Sequence, residues 1–374
     1  MSISHVKHYL HKIVILLLFG GILLCSGCTG KMYHVGTGDS LYKQKKYKES
    51  VVAFNKAILE DPGYVLGHVR LGWSYYKLKQ YESAVNSFKR ALELDSEIGK
   101  DLYWDVYEGL GSSLRKTGDY KNAIFYLKKA IIVDPEEQLS SFYNNIGLAY
   151  GASHKYEKAL ENFHKAINEN SQYKYAPANI GNIYRKMGKY DFAIQWAQKA
   201  VAIDPNYSWA YRIQGLVYLD RREYKKYLEM GLKAISVDPD SASSLNSVGN
   251  AYSKLYQYEK ALEYFHKAIA VQPDYKTAPA NIGDTYRKMG NYSQAVEWTI
   301  KALALDPDYP WALIVRGLIF IDQGQIESGL EYINQAVEAD SINISSLNSR
   351  AWVLQLHKRY QEALHDVNRA GYFI

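Results

Sequence analysis

The chain is poor in cysteine and proline, and its glycine content is no more than average. Its two cysteines, Cys25 and Cys28, both lie within the first 28 of 374 residues. A disulfide framework and a thiolate-bound zinc or iron–sulfur site are therefore excluded for the rest of the chain. The 9 prolines and 26 glycines exclude a collagen-like or linker-dominated chain. A hydrophobic content of 47% with 22% charged residues excludes disorder over most of the length.

An excess of one charge and the common catalytic motifs are also missing. The 45 Lys and Arg against 39 Asp and Glu give a net charge of +6, spread along the chain without a basic block. This pattern predicts no nucleic-acid partner. The motifs HExxH, GxSxG, GxxxxGK[ST] and GxGxxG are absent. The sequence therefore predicts no enzyme activity, no catalytic residue, no metal site and no cofactor.

The first thirty residues have the pattern of a targeting segment. Lys7 and Lys12 precede a twelve-residue apolar run, Ile13–Leu24, and the small residues Ser26 and Gly27 precede Cys28. A basic start, a short apolar core and a small-residue end predict a secretory signal peptide over residues 1–27. Twelve helical residues reach only about 18 Å, against about 30 Å of hydrocarbon, which disfavours a spanning helix.

The Ser-Gly-Cys end of this segment resembles the lipobox of bacterial lipoproteins, although Cys25 stands where that family usually has Leu. The resemblance implies that Cys28 is acylated and becomes the new N-terminus, with residues 28–30 as a short tether. Thr29 in place of Asp implies the outer membrane, facing the periplasm. An uncleaved anchor and cleavage by ordinary signal peptidase are the alternatives.

From residue 31 the chain repeats every 34 residues, with the starts 31, 65, 104, 140, 174, 208, 242, 276, 310 and 344. Gly occupies position 8 in nine of these repeats, Ala occupies position 27 in all ten, and Ala occupies position 20 in seven. Positions 4, 7, 8 and 11 form one face of a helix, and positions 20, 24 and 27 form the facing stripe of a second. Small residues at positions 8 and 20 predict closely packed antiparallel helices. Pro at position 32 of six repeats predicts the end of the second helix.

This pattern resembles the tetratricopeptide repeat family. The second repeat shows the resemblance in the stretch from Leu71 to Leu92, LGWSYYKLKQYESAVNSFKRAL. The resemblance covers residues 31–374. It implies an all-α fold, an α-solenoid of about ten helix pairs wound into a right-handed superhelix, with the first helices on the concave side. It also implies a scaffold that binds other proteins.

Asparagines recur at the positions expected to face that concave side. Positions 5, 6 and 9 carry Asn and position 12 carries Arg, namely Asn144, Asn145, Asn179, Asn182, Arg185, Asn246, Asn250, Asn281, Arg287 and Asn348. A carboxamide donates and accepts hydrogen bonds, so a ladder of Asn can hold an extended peptide backbone without reading its sequence. Asn144, Asn246 and Asn348 are each 102 residues apart, the length of three repeats, and repeats four to six recur as repeats seven to nine. The alternative explanations are therefore that these Asn are solvated surface or that they were copied with this 102-residue unit.

Two tryptophans at position 9, Trp73 and Trp352, are further candidates for partner binding. No core position requires an indole there, so each either anchors an apolar side chain or a sugar ring, or packs against a neighbouring repeat. Trp209 and Trp311 at position 2 are similar candidates.

The sequence as a whole predicts an exported, lipid-anchored scaffold that assists an envelope, secretion, pilus or polysaccharide-export machine. Its expected partners are other envelope proteins or extended peptide segments, together with the membrane through the lipid anchor. A carbohydrate-binding component of polysaccharide export, using the concave Trp and Tyr, is the alternative, and a non-catalytic subunit of an envelope enzyme is a lesser one. The apolar end Gly371–Ile374 predicts self-association through the last repeat.

Overall fold

The computed structural model describes residues 32–94, 102–133, 138–341 and 343–371, and over these ranges the chain is helical with no strand. Successive helices form ten pairs. The predicted signal peptide 1–27, the tether 28–30 with Cys28, and the last three residues, 372–374, lie outside the described residues.

The first helices of the pairs begin within one residue of the repeat starts counted in the sequence. They are α1 (32–43), α3 (Val65–Lys77), α5 (Tyr103–Lys116), α7 (Leu139–Ala152), α9 (Tyr175–Lys186), α11 (Ser208–Asp220), α13 (Ala242–Lys254), α15 (Thr277–Lys288), α17 (Pro310–Asp322) and α19 (Ile344–Leu356). The second helices are α2 (Tyr47–Glu60), α4 (Tyr81–Glu93), α6 (Tyr120–Val133), α8 (Tyr156–Glu169), α10 (Tyr190–Ile203), α12 (Tyr224–Val237), α14 (Tyr258–Val271), α16 (Tyr292–Leu305), α18 (Ile326–Ala339) and α20 (Tyr360–Gly371).

Glycine at position 8 lets the two helices of a pair approach closely, as predicted. A Cβ on Gly147 would lie 2.6 Å from the ring of Phe163, and one on Gly181 would lie 2.9 Å from the carbonyl oxygen of Ala193. Atoms do not pack at such distances, so any larger residue would push the helices apart. Ala193 at position 20 is fully buried at this contact.

The turn within each pair has a left-handed residue at position 15 in all ten repeats. Four of these residues are glycines, and the six others are Lys45, Lys79, His154, Arg222, Tyr256 and Lys358. In the seventh repeat the backbone N–H of Gln257 donates to the carbonyl of Tyr252 at 2.9 Å, and that of Tyr256 donates to Ser253 at 3.2 Å. This is the Schellman arrangement, which satisfies the last carbonyls of the first helix.

The second helices end two residues before the prolines of position 32. Helix α10 ends at Ile203, Asp204 is extended, and Pro205 follows. The same order is found at α2, α12, α14 and α16. Proline disfavours helical backbone at the residue before it, which agrees with these ends. Helices α8 and α18 end at the same repeat position with Ser171 and Ser341 in place of proline, so proline is not required for it.

The chain divides into two compact units, one ending at Ala176 and one beginning at Pro177. In the first unit a core cluster contains Val69, Phe88 and Leu110. In the second unit a comparable cluster contains Phe265 and Ile282. Within the described ranges, no helix has both the length and the apolar character needed to cross a bilayer.

Candidate peptide-binding face

All the predicted site residues within the described ranges lie on first helices. Trp73 is on α3, and Asn144 and Asn145 are on α7, all in the first unit. The second unit carries Asn179, Asn182 and Arg185 on α9, Asn246 and Asn250 on α13, Asn281 and Arg287 on α15, and Asn348 and Trp352 on α19. We call the side of the second unit that these residues share the first-helix face.

A chain of hydrogen bonds joins three successive first helices on this face. The Nδ2 of Asn281 on α15 donates to the Oδ1 of Asn246 on α13 at 2.9 Å. The Oδ1 of Asn281 accepts from the Nε1 of Trp311 on α17 at 2.8 Å. A carboxamide has two N–H donors and two acceptor lone pairs, so these bonds use half of the capacity of Asn281. The other half is available to a bound backbone.

A cavity of about 300 Å³ lies beside this chain in the second unit. It is lined by Leu219, Asn250, Ser253, Lys254, Phe265, Asn281, Asp284, Lys288 and Trp311. The lining thus combines two of the predicted asparagines with three large apolar side chains and three charged ones. Sites of this composition hold a side chain by apolar contact and orient it by a few polar groups.

Asp284 anchors the cations at one wall of the cavity. Its carboxylate lies 2.9 Å from Nη2 of Arg287 and 2.7 Å from Nζ of Lys288, and it is only 7% exposed. Burial alone would raise the pKa of Asp284, but Lys288 and Arg287 outweigh burial and lower that pKa below its usual value. Asp284 is therefore ionised at neutral pH.

Lys254 adds a second lysine to the lining of the cavity, close to Lys288 and Asp284. It forms no ion pair with any described residue, and burial together with the nearby Lys288 lowers its pKa. The cavity walls therefore carry two lysines against one carboxylate.

A second cation without an ion pair to the described residues, Arg212, lies on α11. Its guanidinium carbon is 4.7 Å from the centre of the Trp209 ring. Its Nε is buried without a hydrogen-bond partner, and burial lowers the pKa of the side chain. The titratable side chains nearest to the Arg212 guanidinium are the phenols of Tyr275 and Tyr227. No carboxylate in the described ranges forms an ion pair with Arg212. Arg212 occupies position 5, the same repeat position as Asn246.

The two predicted arginines are bound within the fold. Arg185 donates from Nη1 to Asp220 at 2.8 Å, and Arg287 donates to Asp322 at 2.6 Å, each across to the next first helix. The aspartates were missed in the sequence, although they too are 102 residues apart at position 13. Lys254 and Arg212, which the sequence did not single out, form no ion pair with any described residue.

Asn250 lies close to a buried phenol. Burial raises the pKa of Tyr227 to about 12, opposed by hydrogen bonds to Ser247 and Asn250. Asn182 accepts a bond from Nε of Arg185 at 3.4 Å.

The predicted residues of the first unit are held by neighbouring side chains. The indole Nε1 of Trp73 donates to Asp105 of the next repeat at 2.6 Å, and its ring meets Phe88 edge-on. Asn145 donates to Glu108 at 3.5 Å, and Asn144 is buried. Trp73 also lines a cavity of about 500 Å³ with Tyr42 and others.

The C-terminal candidates differ from all of these in exposure. Trp352 on α19 is 49% exposed, and Asn348, one turn before it, is also exposed. In the described ranges no three side chains of His, Cys, Asp or Glu are grouped as metal ligands.

Family models described as "Tetratricopeptide repeat" match six stretches of the chain, which together make up more than half of it. The stretches are residues 65–97, 105–137, 140–173, 178–207, 230–263 and 312–343. A model described as "Regulator of microtubule dynamics protein 1-3" matches residues 250–310. None of these descriptions is that of an enzyme. No curated protein sequence matches the chain significantly.

Solved structures similar to this chain share its fold at low identity. A tetratricopeptide repeat protein from Parabacteroides merdae is 17% identical with a TM-score of 0.53, covering 67% of this chain and 99% of that one. The human IFIT1 dimer, solved with m7Gppp-AAAA, is 15% identical with a TM-score of 0.54, covering 90% of this chain and 88% of that one. Likeness at these identities is a likeness of fold.

Proposed function

Since the chain belongs to the tetratricopeptide repeat family, whose members serve as protein-interaction scaffolds, we propose that it is such a scaffold. We propose further that it binds an extended, acidic segment of a partner protein. The segment lies on the first-helix face of the second unit. The observation that carries this proposal is the cavity beside Asn281, where a partly used carboxamide adjoins Lys254, which forms no ion pair with any described residue.

Three parts of the face fit three parts of such a ligand. The remaining donor and acceptor of Asn281 suit a peptide group, whose own N–H and C=O need partners once water is removed. Leu219 and Trp311, which are only partly buried, offer apolar surface for one side chain. Lys254 and Arg212 attract carboxylates, and they speed the encounter through long-range attraction.

We further propose that the scaffold is exported and held at the outer membrane by acylated Cys28, facing the periplasm. The support is the resemblance of residues 1–28 to a lipoprotein signal. One acyl chain binds a membrane only marginally, whereas a triacylated cysteine would be a stable anchor. In that place the protein would assist an envelope, secretion, pilus or polysaccharide-export machine by holding its partners.

The exposed Trp352 favours a second candidate, a carbohydrate-binding component of polysaccharide export. A half-exposed indole can stack on a sugar ring. If an oligosaccharide displaced a bound peptide and quenched the fluorescence of Trp352, that result would favour the carbohydrate-binding candidate over the peptide scaffold.

A binding assay with disordered peptides tests the peptide proposal. Fluorescence anisotropy on the full chain in mild detergent would compare acidic, neutral and basic peptides of about fifteen residues. We expect the acidic peptides to bind most tightly, with an affinity that falls as salt screens the lysine and arginine.

Charge-reversal variants give this assay its control. Lys254→Glu and Arg212→Glu should each weaken binding of acidic peptides at least tenfold. Lys225→Glu, on the exposed side of helix α12, makes the same change of charge away from the face and should have little effect. Equal binding of all three peptide classes, or equal loss in all three variants, would refute the proposal.

A further inference from the structure

The last second helix, α20, exposes positions that are covered in the other repeats. Position 24 is buried in nine repeats, as Phe54, Phe88, Leu127, Phe163, Ala197, Gly231, Phe265, Thr299 and Ile333. In the tenth repeat it is Val367, which is 51% exposed. Position 21 is Leu364, 54% exposed, and position 17 is Tyr360, 60% exposed, whereas both positions are buried or half-buried in every other repeat. Helix α20 therefore presents an apolar stripe.

The first helix, α1, exposes repeat positions that are covered by the preceding second helix in the other repeats. Position 3 is buried in nine repeats, as Gly67, Val106, Phe142, Ala176, Ala210, Ser244, Ala278, Ala312 and Ser346. In the first repeat it is Tyr33, which is 69% exposed. A Cβ built on Gly36, at position 6, would meet only open space. A groove of about 470 Å³ runs here between Met32 and Leu41.

One junction inside the chain shows how these two surfaces fit. Phe88, at position 24 of α4, packs on Gly109, at position 6 of α5, and a Cβ on Gly109 would lie only 2.2 Å from that ring. Among the ten repeats only the first and the third carry glycine at position 6, as Gly36 and Gly109. Helix α1 thus has the receiving surface of this junction, and α20 has the inserted one.

We propose that α20 of one copy packs on α1 of a second copy, head to tail, as α4 packs on α5 within the chain. Val367 then takes the place of Phe88, and Gly36 that of Gly109. Both halves of the junction are present on every chain, which favours a second copy over an unrelated partner. The contact is heterologous, so each added copy offers the same open surface again, and association grows with concentration. This inference does not depend on the proposed peptide site.

Two variants block the two sides of the contact separately. Val367→Glu places a charge in the apolar stripe of α20, and Gly36→Trp fills the groove of α1. Both sites are open in the single chain, so each variant should keep the helical circular dichroism spectrum of the parent. The matched controls are Val52→Glu on α2 and Ile132→Glu on α6. These side chains are 56% and 78% exposed and lie outside α1 and α20.

Sedimentation velocity of the full chain in density-matched detergent gives the readout. The parent and both controls should form species that grow with concentration, and each blocking variant alone should stay monomeric. In an equimolar mixture of the two blocking variants, the Gly36→Trp chain still has an intact α20 and the Val367→Glu chain still has an intact α1. It should form dimers that do not grow further.

Several results would overturn the proposal. A parent that stays monomeric at all concentrations would do so, as would a Gly36→Trp variant that associates like the parent. Loss of association in Val367→Glu without recovery in the mixture would indicate a symmetric contact of α20 with itself. Unchanged association in both variants would indicate that other residues of the same chain, 1–31 or 372–374, cover these helices.

Discussion

The carboxamide of Asn281 shows how individual side chains connect the repeats. It joins Asn246 of the preceding repeat to Trp311 of the following one. The recurrence of Asn at positions 5 and 6 could be read from the sequence. The bonds could not, because they depend on the register of α13, α15 and α17 against one another. Trp311 was predicted either as a surface anchor or as a residue packed against a neighbouring repeat, and its N–H is used within the fold.

Replacing Trp311 by Phe tests this connection. The change keeps an aromatic ring but removes the donor to Asn281, so we expect the free energy of unfolding to fall by about 1 kcal/mol. Urea unfolding followed by circular dichroism measures it. Trp352→Phe, at a half-exposed indole, should leave stability within about 0.5 kcal/mol. Equal effects of the two changes would contradict the role assigned to Trp311.

The ion pairs of Asp284 give stability a defined dependence on pH. Its pKa is lowered in the folded chain, so the unfolded chain binds protons more readily at that carboxylate. The contribution is therefore complete above the unfolded pKa of about 4 and is lost as pH falls through the lower, folded pKa. Asp284→Asn should reduce stability by about 3 kcal/mol at pH 7, because it leaves Lys288 without its carboxylate and Arg287 with Asp322 alone.

Unfolding at a series of pH values checks the sign of this effect. The difference between Asp284→Asn and the parent should shrink as pH falls below about 4, where the parent also loses the carboxylate charge. Glu331→Gln, at an exposed carboxylate on α18, is the control and should show little difference at any pH. A gap for Asp284→Asn that stays constant down to pH 2 would contradict the ion-pair account.

The turns within the helix pairs carry a conformational cost that differs from repeat to repeat. The left-handed residue is glycine in the third, fifth, eighth and ninth repeats and bears a side chain in the other six. The helix pairs could be predicted, because the spacing of small and apolar residues fixes both helices. The common left-handed turn was not predicted, because Lys45, His154 and Tyr256 hide the glycine pattern that would have indicated it.

Tyr256→Gly should therefore stabilise the protein. Tyr256 has φ of 61° and is 80% exposed, so the change relieves backbone strain and removes little packing. We expect a gain of about 1 kcal/mol in the free energy of unfolding, measured by urea denaturation. Gly290→Ala, at the same position of the next repeat, should lower it by a similar amount, since a Cβ there meets no other atom and adds strain alone. A Tyr256→Gly variant less stable than the parent would contradict this account.

At the scale of the complete chain, the 34-residue period was enough to predict the fold class and the number of helix pairs. Fixed small residues at positions 8 and 20 admit one close-packed arrangement, so the prediction did not need the contacts themselves. The charge of the first-helix face was harder to predict. Arg185 and Arg287 are neutralised by aspartates one repeat further on, whereas Arg212 and Lys254 are not, and only the three-dimensional neighbours separate the two cases.

The predicted cleavage after residue 27 and acylation of Cys28 can be tested separately. Mass spectrometry of the N-terminal peptide from membranes should find triacylated Cys28 with residues 1–27 removed. Cys28→Ser should release the protein from the membrane fraction, whereas Cys25→Ser should leave processing and fractionation unchanged. An unmodified Cys28 in the membrane-bound protein would refute the lipoprotein prediction while leaving the scaffold untouched.

The central claim is that the first-helix face of the second unit holds an acidic, extended segment of a partner protein. Photocrosslinking from Leu219, which lines the cavity, tests it most directly in the full chain in its native cells, with the label at Ile132 as control. We predict one discrete crosslinked protein, mapped by mass spectrometry to an acidic unstructured segment, and lost when Lys254→Glu is added. Crosslinks to glycan, or a protein crosslink that Lys254→Glu leaves unchanged, would contradict the account.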